Sequence, residues 1–426
     1  MSSVSNIVVF FHRPKYILTM ERLQAFKFEL QPNGEHIRDM RRFAGSCRFV
    51  YNKALALQKE NHEAGNKFIG YVEMAKNLTS WRNSKETPWL KDSPCHPLQH
   101  SLKDLDKSFK NFFAKRSKFP RFKKKGLGGS FRYPDPQQIE LDQANSRICF
   151  PKLGWIRYRN SREIEGELRN VTVSCSGDKW FVSIQTRRDV EEPKTLATSS
   201  VGIDVGITHF ATLSNGVYIE PLNSFKTHQN RLAKYQRRMS RKKKHSKNWN
   251  KARFKVQKIH TKIANARKDF LHKTTTEISK NHAVVCIEDL QVKNMSKSAT
   301  GTITEPGKGV RQKAGLNRCI LDQGWGMFRG MLEYKMKWAG GTLVLVPPQN
   351  TSRTCPKKDC GHISADNRKT QAKFKCINCG YENNADLVGA IIIKERGLCL
   401  LACGEWVKLN LSVKQEPVEA SQLVFN

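Results

Sequence analysis

The sequence lacks any apolar run that approaches the roughly 18 residues needed to cross a bilayer. Its opening apolar stretch, NIVVFF, is too short for the hydrophobic region of a secretory signal and is not followed by a small-residue cleavage site. Without an export signal, the twelve cysteines are expected to be reduced thiols or metal ligands rather than disulfides. We therefore expect a cytoplasmic protein without a membrane partner.

Acidic residues are scarce in this chain of 426 residues. Asp and Glu number 38 against 75 Lys and Arg, which gives a formal charge of +37. Such an excess favours a polyanionic partner, and nucleic acid is the usual one. Residues 226–268 hold seventeen Lys or Arg and no acid. A solvated surface of that charge would repel itself, so phosphate contact is the favoured interpretation of the two basic helices predicted there.

A second basic cluster, AKRSKFPRFKKKG at residues 114–126, mixes cations with Phe119 and Phe122. This mixture suits neutralisation of phosphates combined with stacking on bases.

The length allows two to three domains, and no internal repeat is found. A strand is predicted to begin at Met20 and stop at Pro32, and a polar linker at 191–200. Residues from about 35 to 115 are predicted to be helical, whereas short runs from about 130 to 190 are predicted to be strands. After the linker, strands and helices alternate, which predicts an α/β layered structure.

One aspartate, Asp204, lies in the strand-like run SSVGIDVGITHF at residues 199–210. In an extended chain Gly202 and Gly206 share its face, opposite an apolar face. A glycine inside a strand often marks close approach by a ligand or another backbone. The alternative is an edge strand with a solvated aspartate, which this run alone favours. Two strands joined by a turn at Asn215-Gly216 are predicted here.

Two further segments carry acids at the ends of predicted elements. Glu288 and Asp289 end the strand HAVVCIEDL, and Asp386 begins the helix in NNADLVGAIIIKERG. Asn384 is predicted to cap that helix and Gly397 to stop it.

Three of these acids converging in a partly dry site would repel one another unless cations lay between them. Two Mg²⁺ ions about 4 Å apart, which hydrolyse phosphodiesters, meet that requirement. Strand parity leaves Glu288 and Asp289 as rival ligands, and each acid taken singly reads as structural or solvated.

Four cysteines, Cys355, Cys360, Cys376 and Cys379, form a C-x4-C pair and a C-x2-C pair fifteen residues apart. Thiolates in two such knuckles can close a tetrahedral zinc site, and four sulfurs leave no open position for catalysis. A structural zinc ribbon is therefore predicted, with free thiols as the alternative. The other cysteines, including Cys399 and Cys403 beyond the predicted last helix, are expected to be plain thiols.

Five segments together resemble the TnpB family of RNA-guided nucleases from compact bacterial insertion sequences, which are related to type V CRISPR effectors. They are RFVYN, KFPRFKKKG, GIDVGITHFATLSNG, VVCIEDLQVKNM and the cysteine segment from Thr351 through GAIII. In this resemblance Asp204, Glu288 and Asp386 fall on the three catalytic positions, which favours Glu288 over Asp289. Two departures are the first zinc knuckle, two residues longer than usual, and residues 1–19, which have no recognised counterpart.

The resemblance implies a multidomain protein of α/β and α+β class. Its parts would be a ribonuclease H-like (RuvC) nuclease domain with a zinc-ribbon insertion, and an N-terminal β-barrel wedge with a helical recognition segment. The expected division is 1–19 extension, 20–34 first wedge strand, 35–115 helical recognition segment, 116–192 remaining wedge barrel, 193–349 first part of the nuclease, 350–382 zinc ribbon, 383–398 last nuclease helix and 399–426 flexible tail.

The implied function is cleavage of matching double-stranded DNA beside a short flanking motif. A guide RNA from the protein's own element would direct it, with two catalytic Mg²⁺ and one structural Zn²⁺. A monomer is favoured, in the cytoplasm of a bacterial or archaeal cell and associated with the nucleoid. The resemblance hints at contacts to the flanking motif in the segments that contain Tyr51, Asn52 and Gln99. The favoured interpretation of these three residues is nevertheless that they are buried polar groups of helices.

Three alternatives stay open at this point. A nuclease-inactive RNA-guided repressor should have lost catalytic acids, and all three are present. A DNA-rejoining transposase would need a nucleophile such as a tyrosine with a His-hydrophobe-His pair, which is not seen; a variant of this alternative is an accessory DNA-binding protein of a transposase. A non-catalytic zinc-ribbon protein should be indifferent to Mg²⁺ removal.

Overall fold

The computed structural model describes residues 19–125 and 128–403. The predictions for the N-terminal extension up to residue 18 and for the tail from residue 404 lie outside the described residues. The chain divides into two compact units, one with the residues up to 192 and 230–262, the other with 193–229 and the residues from 263 onward. None of the helices in the described part is long and apolar enough to span a membrane.

The first unit contains the predicted helical region as three helices, α1 (Gly34–Glu63), α2 (Tyr71–Asn83) and α3 (Cys95–Phe113), with a short 3₁₀ helix at Pro88–Asp92. α1 begins where the Asn33 side chain accepts the backbone N–H of His36, which satisfies one of the free donors at the helix start. α3 buries its predicted apolar stripe, including Leu98, Leu102 and Phe109.

The first unit also contains a seven-stranded sheet. Its strands are β1 (Thr19–Gln31), β2 (Ser130–Tyr133), β3 (Glu140–Asp142), β4 (Arg147–Phe150), β5 (Gly154–Tyr158), β6 (Glu167–Ser176) and β7 (Lys179–Glu191), in the order β2-β6-β7-β1-β5-β4-β3. β1 pairs antiparallel with β7 along most of its length and then with β5, at Leu30↔Tyr158. The single long β1 thus joins the two halves of the sheet, and its closure into a barrel stays a prediction.

The second unit is built on a five-stranded sheet with helices, the α/β arrangement that the sequence predicts. Its strands are β8 (Ser200–Val205), β9 (Ala211–Leu213), β10 (Tyr218–Ile219), β11 (Val284–Glu288) and β12 (Thr342–Val346), in the order β10-β9-β8-β11-β12. β8, β11 and β12 run parallel, whereas β9 and β10 are antiparallel additions.

The remaining elements are α4 (Ser224–Ser240), α5 (Lys247–Asn281), α6 (Val292–Met295), α7 (Val310–Gln323), α8 (Trp325–Trp338), α9 (Ala385–Ala402), and a small hairpin of β13 (Lys373–Lys375) and β14 (Glu382–Asn384). α4 and α5 are the two predicted basic helices. The predicted pair of strands around Asn215-Gly216 is in fact three, because the chain leaves β8 at Gly206 before β9 begins.

The edge-strand interpretation of Asp204 is wrong, because β8 lies between β9 and β11. Its apolar side chains, Val201 and Ile203, are buried in the core on one face. On the other face α9 packs directly on the strand. A Cβ at Gly202 would lie 2.1 Å from the carbonyl oxygen of Ala390. Glycine is therefore required at this position because the backbone of α9 approaches the strand closely. Close approach of another backbone is one of the two causes expected for a glycine within a strand, the other being close approach of a ligand.

α9 begins as predicted but does not end as predicted. The side chain of Asn384 accepts the N–H groups of Asp386 and Leu387, at 2.9 and 3.3 Å. Gly397 does not stop the helix, since α9 continues to Ala402. This glycine is needed for packing instead, because a Cβ there would lie 2.2 Å from Cys286 Sγ. Consequently Cys399 lies inside the helix and Cys403 at its C-cap, not beyond it.

Candidate metal centres

Three acids from distant parts of the sequence face one another in the second unit. Asp204 lies near the carboxyl end of β8 and Glu288 ends the adjacent parallel strand β11, with Ile203 and Ile287 in register beside them. Asp386 lies in the first turn of α9, the helix that packs across β8 and β11. The carboxyl ends of neighbouring parallel strands are where α/β proteins commonly place functional groups.

The helix approaches the aspartate closely. A Cβ at Gly389 would lie 3.0 Å from Asp204 Oδ2, so α9 offers a bare surface at the point where the carboxylate lies. Together with Gly202 on the strand, this glycine allows strand and helix to enclose the carboxylate.

The surroundings of Asp204 and Glu288 disfavour negative charge on these two carboxyl groups. Burial raises the pKa of Asp204 well above its usual value, and the charges of Glu288 and Asp386 raise it further. Burial also raises the pKa of Glu288, although a 2.6 Å hydrogen bond from Thr351 Oγ1 to Glu288 Oε1 partly opposes this. Bound cations would favour the ionised forms of Asp204 and Glu288, so the site has the oxygen donors and the electrostatics that suit divalent metal ions.

Arg368 is a member of the site that the sequence analysis missed. It lies in a 3₁₀ helix, Ala365–Arg368, between the two cysteine pairs. Its Nη2 donates to Asp386 Oδ1 at 3.2 Å and to the Gln371 carbonyl at 2.7 Å, and its charge lowers the pKa of Asp204. Several other cations occur in the same segment, so no pattern in the sequence distinguishes this one.

The rival acid, Asp289, is engaged elsewhere. Its carboxylate forms an ion pair with Arg329 of α8. Glu288 instead accepts a hydrogen bond from Thr351 and lies near Asp204. The choice of Glu288 over Asp289 as a catalytic residue stays a prediction.

The four cysteines of the predicted zinc ribbon form a compact cluster. All four Sγ atoms lie within 4.8 Å of one another, with Cys355 and Cys379 at 3.6 Å and Cys360 and Cys376 at 3.7 Å. A tetrahedral zinc with Zn–S bonds of about 2.3 Å requires sulfur separations of about 3.8 Å. The cluster is therefore compatible with a structural zinc, and the longer first knuckle does not prevent it.

Glycines and a shared core fix this cluster on the second unit. Gly361 and Gly380, each after the second cysteine of its pair, have φ of 55° and 71°, which favours glycine. Phe374 and Val388 pack with the cysteines in one apolar group, so the ribbon lies against the start of α9. In the described ranges this is the single group of three or more His, Cys, Asp or Glu whose ligand atoms approach this closely. The three acids are more widely spaced.

Two residues that the resemblance suggested for the flanking motif have structural contacts in the first unit. Tyr51 is buried in α1, with the Lys123 ammonium 4.1 Å from its ring centroid. Asn52 exchanges two hydrogen bonds with the backbone of Lys123, at 2.8 and 3.0 Å. Gln99 lines a cavity of about 350 Å³ between α2 and α3, together with Arg82 and Lys91.

Three family models match the chain. The model described as "Probable transposase" (OrfB_IS605) matches residues 183–299, and "Cas12f1-like, TNB domain" matches 325–393, which includes the four cysteines. A third, "Helix-turn-helix domain" (HTH_OrfB_IS605), matches 20–67. In the structure those residues form β1 followed by the single long helix α1.

Two relatives align over nearly their whole length. The "Putative RNA-guided DNA endonuclease InsQ" of Escherichia coli (strain K12) is 56% identical over 95% of this chain and 99% of its own. The "Putative RNA-guided DNA endonuclease" of Streptomyces pristinaespiralis is 34% identical over 93% and 97%. Among solved structures, "Cryo-EM structure of the Cas12f1-sgRNA-target DNA complex" covers 88% of this chain and 99% of its own, with a TM-score of 0.49 and 14% identity. The sequence relatives show that the chain belongs to the TnpB (OrfB) family.

Proposed function

We propose that the protein is an RNA-guided DNA endonuclease of a transposable element, which binds a guide RNA from its own element and cuts matching DNA. The names of the two relatives and the charge of +37 support this proposal. The observation that carries it is the approach of Asp204, Glu288 and Asp386 to one another in a partly buried site. A protein that only binds nucleic acid has no need of mutually repelling carboxylates.

The three acids would hold two Mg²⁺ ions, which when bound supply activation of water and stabilisation of the leaving oxygen of a phosphodiester. Thr351 fixes the orientation of Glu288 through its hydrogen bond. Arg368 orients Asp386 from the other side. We regard both as positioning residues, because each touches a carboxylate rather than the substrate.

The second unit would be the RuvC-type, ribonuclease H-like nuclease, since parallel strands carry two of its acids. The zinc ribbon is inserted between β12 and α9 and contacts the helix that carries the third acid. The first unit would supply the β-barrel wedge and helical recognition segment. The partners of the whole protein would be guide RNA and double-stranded DNA with a short flanking motif. The protein would act as a monomer in the bacterial or archaeal cytoplasm, at the nucleoid.

The test is cleavage in vitro, with the RNA that copurifies with the protein, matching DNA and Mg²⁺. We expect the wild-type protein to cut and Asp204→Asn and Glu288→Gln to lose activity, since each change removes a ligand charge at constant shape. Asp289→Asn is the matched control on the same strand end and should still cut, because Asp289 pairs with Arg329.

Each result that differs from these expectations would lead to a different conclusion. Wild-type cutting by Asp204→Asn would reject its assignment. Guide-dependent binding of DNA without any cut would support the repressor, and recovery of joined DNA products would support a transposase.

A further inference from the structure

Five phenylalanines form an exposed patch on the first unit, outside the acid site. The phenylalanine patch consists of Phe68, Phe112, Phe113, Phe119 and Phe122. Phe113 is 60% exposed, and Phe122, Phe68 and Phe119 are 45%, 44% and 41% exposed. Neighbouring rings lie edge to face or tilted, with centroids 5.3 to 5.7 Å apart for Phe68–Phe113, Phe112–Phe113 and Phe112–Phe119. The rings of Phe68, Phe113 and Phe119 are connected through the half-buried Phe112, and Lys59 lies beside both Phe119 and Phe122. A connected apolar surface of this kind marks an interaction site rather than scattered surface residues.

The buried Phe109 of α3 supports the patch from beneath. Its ring lies 5.2 to 6.1 Å from those of Phe68, Phe113 and Phe119. The rings are therefore held by the core of the first unit and do not depend on a ligand for their positions.

The loop that carries Phe119 and Phe122 is fixed at both ends. At its start, Arg116 and Ser117 both donate to the Asn111 carbonyl. At its end, the Asn52 side chain forms the two hydrogen bonds with the Lys123 backbone. A surface that is ordered before binding loses less conformational entropy when its partner arrives.

Cations surround the patch. The Lys59 ammonium lies 5.0 Å from the Phe122 ring centroid and 5.8 Å from that of Phe119. Four exposed side chains of the loop, Lys115, Arg116, Lys118 and Arg121, have no ion pair among the residues that the structure describes. Exposed residues of the loop from 115 to 125 are all cationic or aromatic except Ser117.

The positive charge around the phenylalanine patch favours one of two partners, a second copy of the chain or a strand of nucleic acid. A second copy of the chain would bring the same cations against each other across a two-fold interface, which like charge opposes. An unpaired nucleic-acid strand offers phosphates to the cations and base faces to the rings, the combination found in surfaces that bind single strands without reading their sequence.

We propose that the phenylalanine patch is a stacking platform for the unpaired DNA strand that the target presents when its other strand pairs with the guide. The inference rests on the proposed function, since guide pairing is what leaves one DNA strand single. The sequence of that strand changes with every target, so a surface of rings and cations, almost without groups that read base edges, suits it. Unpaired loops of a guide RNA also stack on aromatic side chains, so the RNA that copurifies with the protein is examined in the test.

The experiment measures binding of a dye-labelled oligo-dT to the full-length protein by fluorescence anisotropy, without added divalent ion. In the test variant, Phe113, Phe119 and Phe122 are all changed to Leu, which keeps the surface apolar and removes the aromatic faces. We expect its affinity for oligo-dT to fall by about tenfold or more, since each stacked base contributes appreciably. Changing the same three residues to Tyr, which keeps the rings, should leave affinity within about twofold of wild type.

Two controls separate stacking from other causes. Trp155→Leu removes an aromatic ring that is also 41% exposed and has Arg147 4.7 Å from its centroid, and it should change oligo-dT affinity little. Binding of a DNA duplex of the same length should be unchanged in the leucine variant, because phosphate contacts remain.

The inference is overturned if the leucine variant binds oligo-dT as wild type does, if it loses duplex binding equally, or if it loses the RNA that copurifies with the protein. A tyrosine variant as weak as the leucine variant also overturns it. The oligo-dT binding assay requires neither guide RNA nor DNA cleavage. Failure of the proposed nuclease activity would therefore be seen separately, in the cleavage assay that compares the wild-type protein with Asp204→Asn.

Discussion

Gly202 is the position at which the packing around the acid site can be tested most directly. A Cβ at this residue would lie 2.1 Å from the Ala390 carbonyl oxygen and 2.5 Å from the Lys394 nitrogen, both backbone atoms of α9. Real Cβ contacts are essentially never shorter than 3.0 Å, so Gly202→Ala must move helix or strand by about 1 Å. Overpacking of this size costs about 1–3 kcal/mol of unfolding free energy.

The loss of activity should exceed the loss of stability. α9 carries Asp386, and a misplacement of about 1 Å at a reacting site can lower a rate by about 10²-fold. For a unit of this size each kcal/mol shifts Tm by about 2–4 °C, so we expect Tm to fall by about 2–12 °C. Guide-dependent cleavage should fall by about two orders of magnitude at a temperature where the variant is still folded.

The assays are thermal unfolding followed by circular dichroism and cleavage under single-turnover conditions. Gly330→Ala is the matched control, because Gly330 lies in α8 of the same unit and a Cβ there meets no atom within 4 Å. It should be neutral or stabilising by up to about 1 kcal/mol, as for an exposed helical glycine. The reasoning is refuted if Gly202→Ala matches this control in both Tm and cleavage.

Two further predictions concern the ribbon and its arginine. Cys376→Ser should lower the zinc content, measured by mass spectrometry of the native protein. It should also reduce cleavage, since the ribbon packs on the start of α9. The control is Cys319→Ser, which changes an exposed cysteine and should retain zinc. Arg368→Ala should slow cleavage by about tenfold or more while leaving guide RNA binding intact, and Arg368→Lys should recover part of the rate because it keeps the charge. Equal rates for wild type and Arg368→Ala would show that the contact to Asp386 is incidental.

The acids could be proposed from sequence because each occupies the end of a regular element. The alternation around Asp204, the strand before Glu288 and the N-cap before Asp386 are local patterns, and local patterns are what a sequence displays. Their convergence could only be hypothesised, because the order of strands in a sheet is set by long-range pairing. For the same reason the run around Asp204 looked like an edge strand, although it is central.

The role of Gly397 could not be predicted from the sequence. At Gly397 the residue has the appearance of a helix stop, and only the position of Cys286 reveals that it serves the packing of α9 on β11. Arg368 and Asn52 illustrate a second limit. A lone arginine between cysteine pairs, or an asparagine in a helix, carries no periodicity, so its partner, Asp386 or the Lys123 backbone, becomes visible only in three dimensions.

The arrangement of α9 also has a consequence for synthesis. The helix that contributes Asp386 to the acid site follows the ribbon in the sequence, whereas Asp204 and Glu288 lie about 180 and 100 residues earlier. Proteins emerge from the ribosome N-terminus first. If Asp386 has the proposed catalytic role, a nascent polypeptide can fold its first unit and engage nucleic acid before α9 is made, but it would not yet be able to cut DNA.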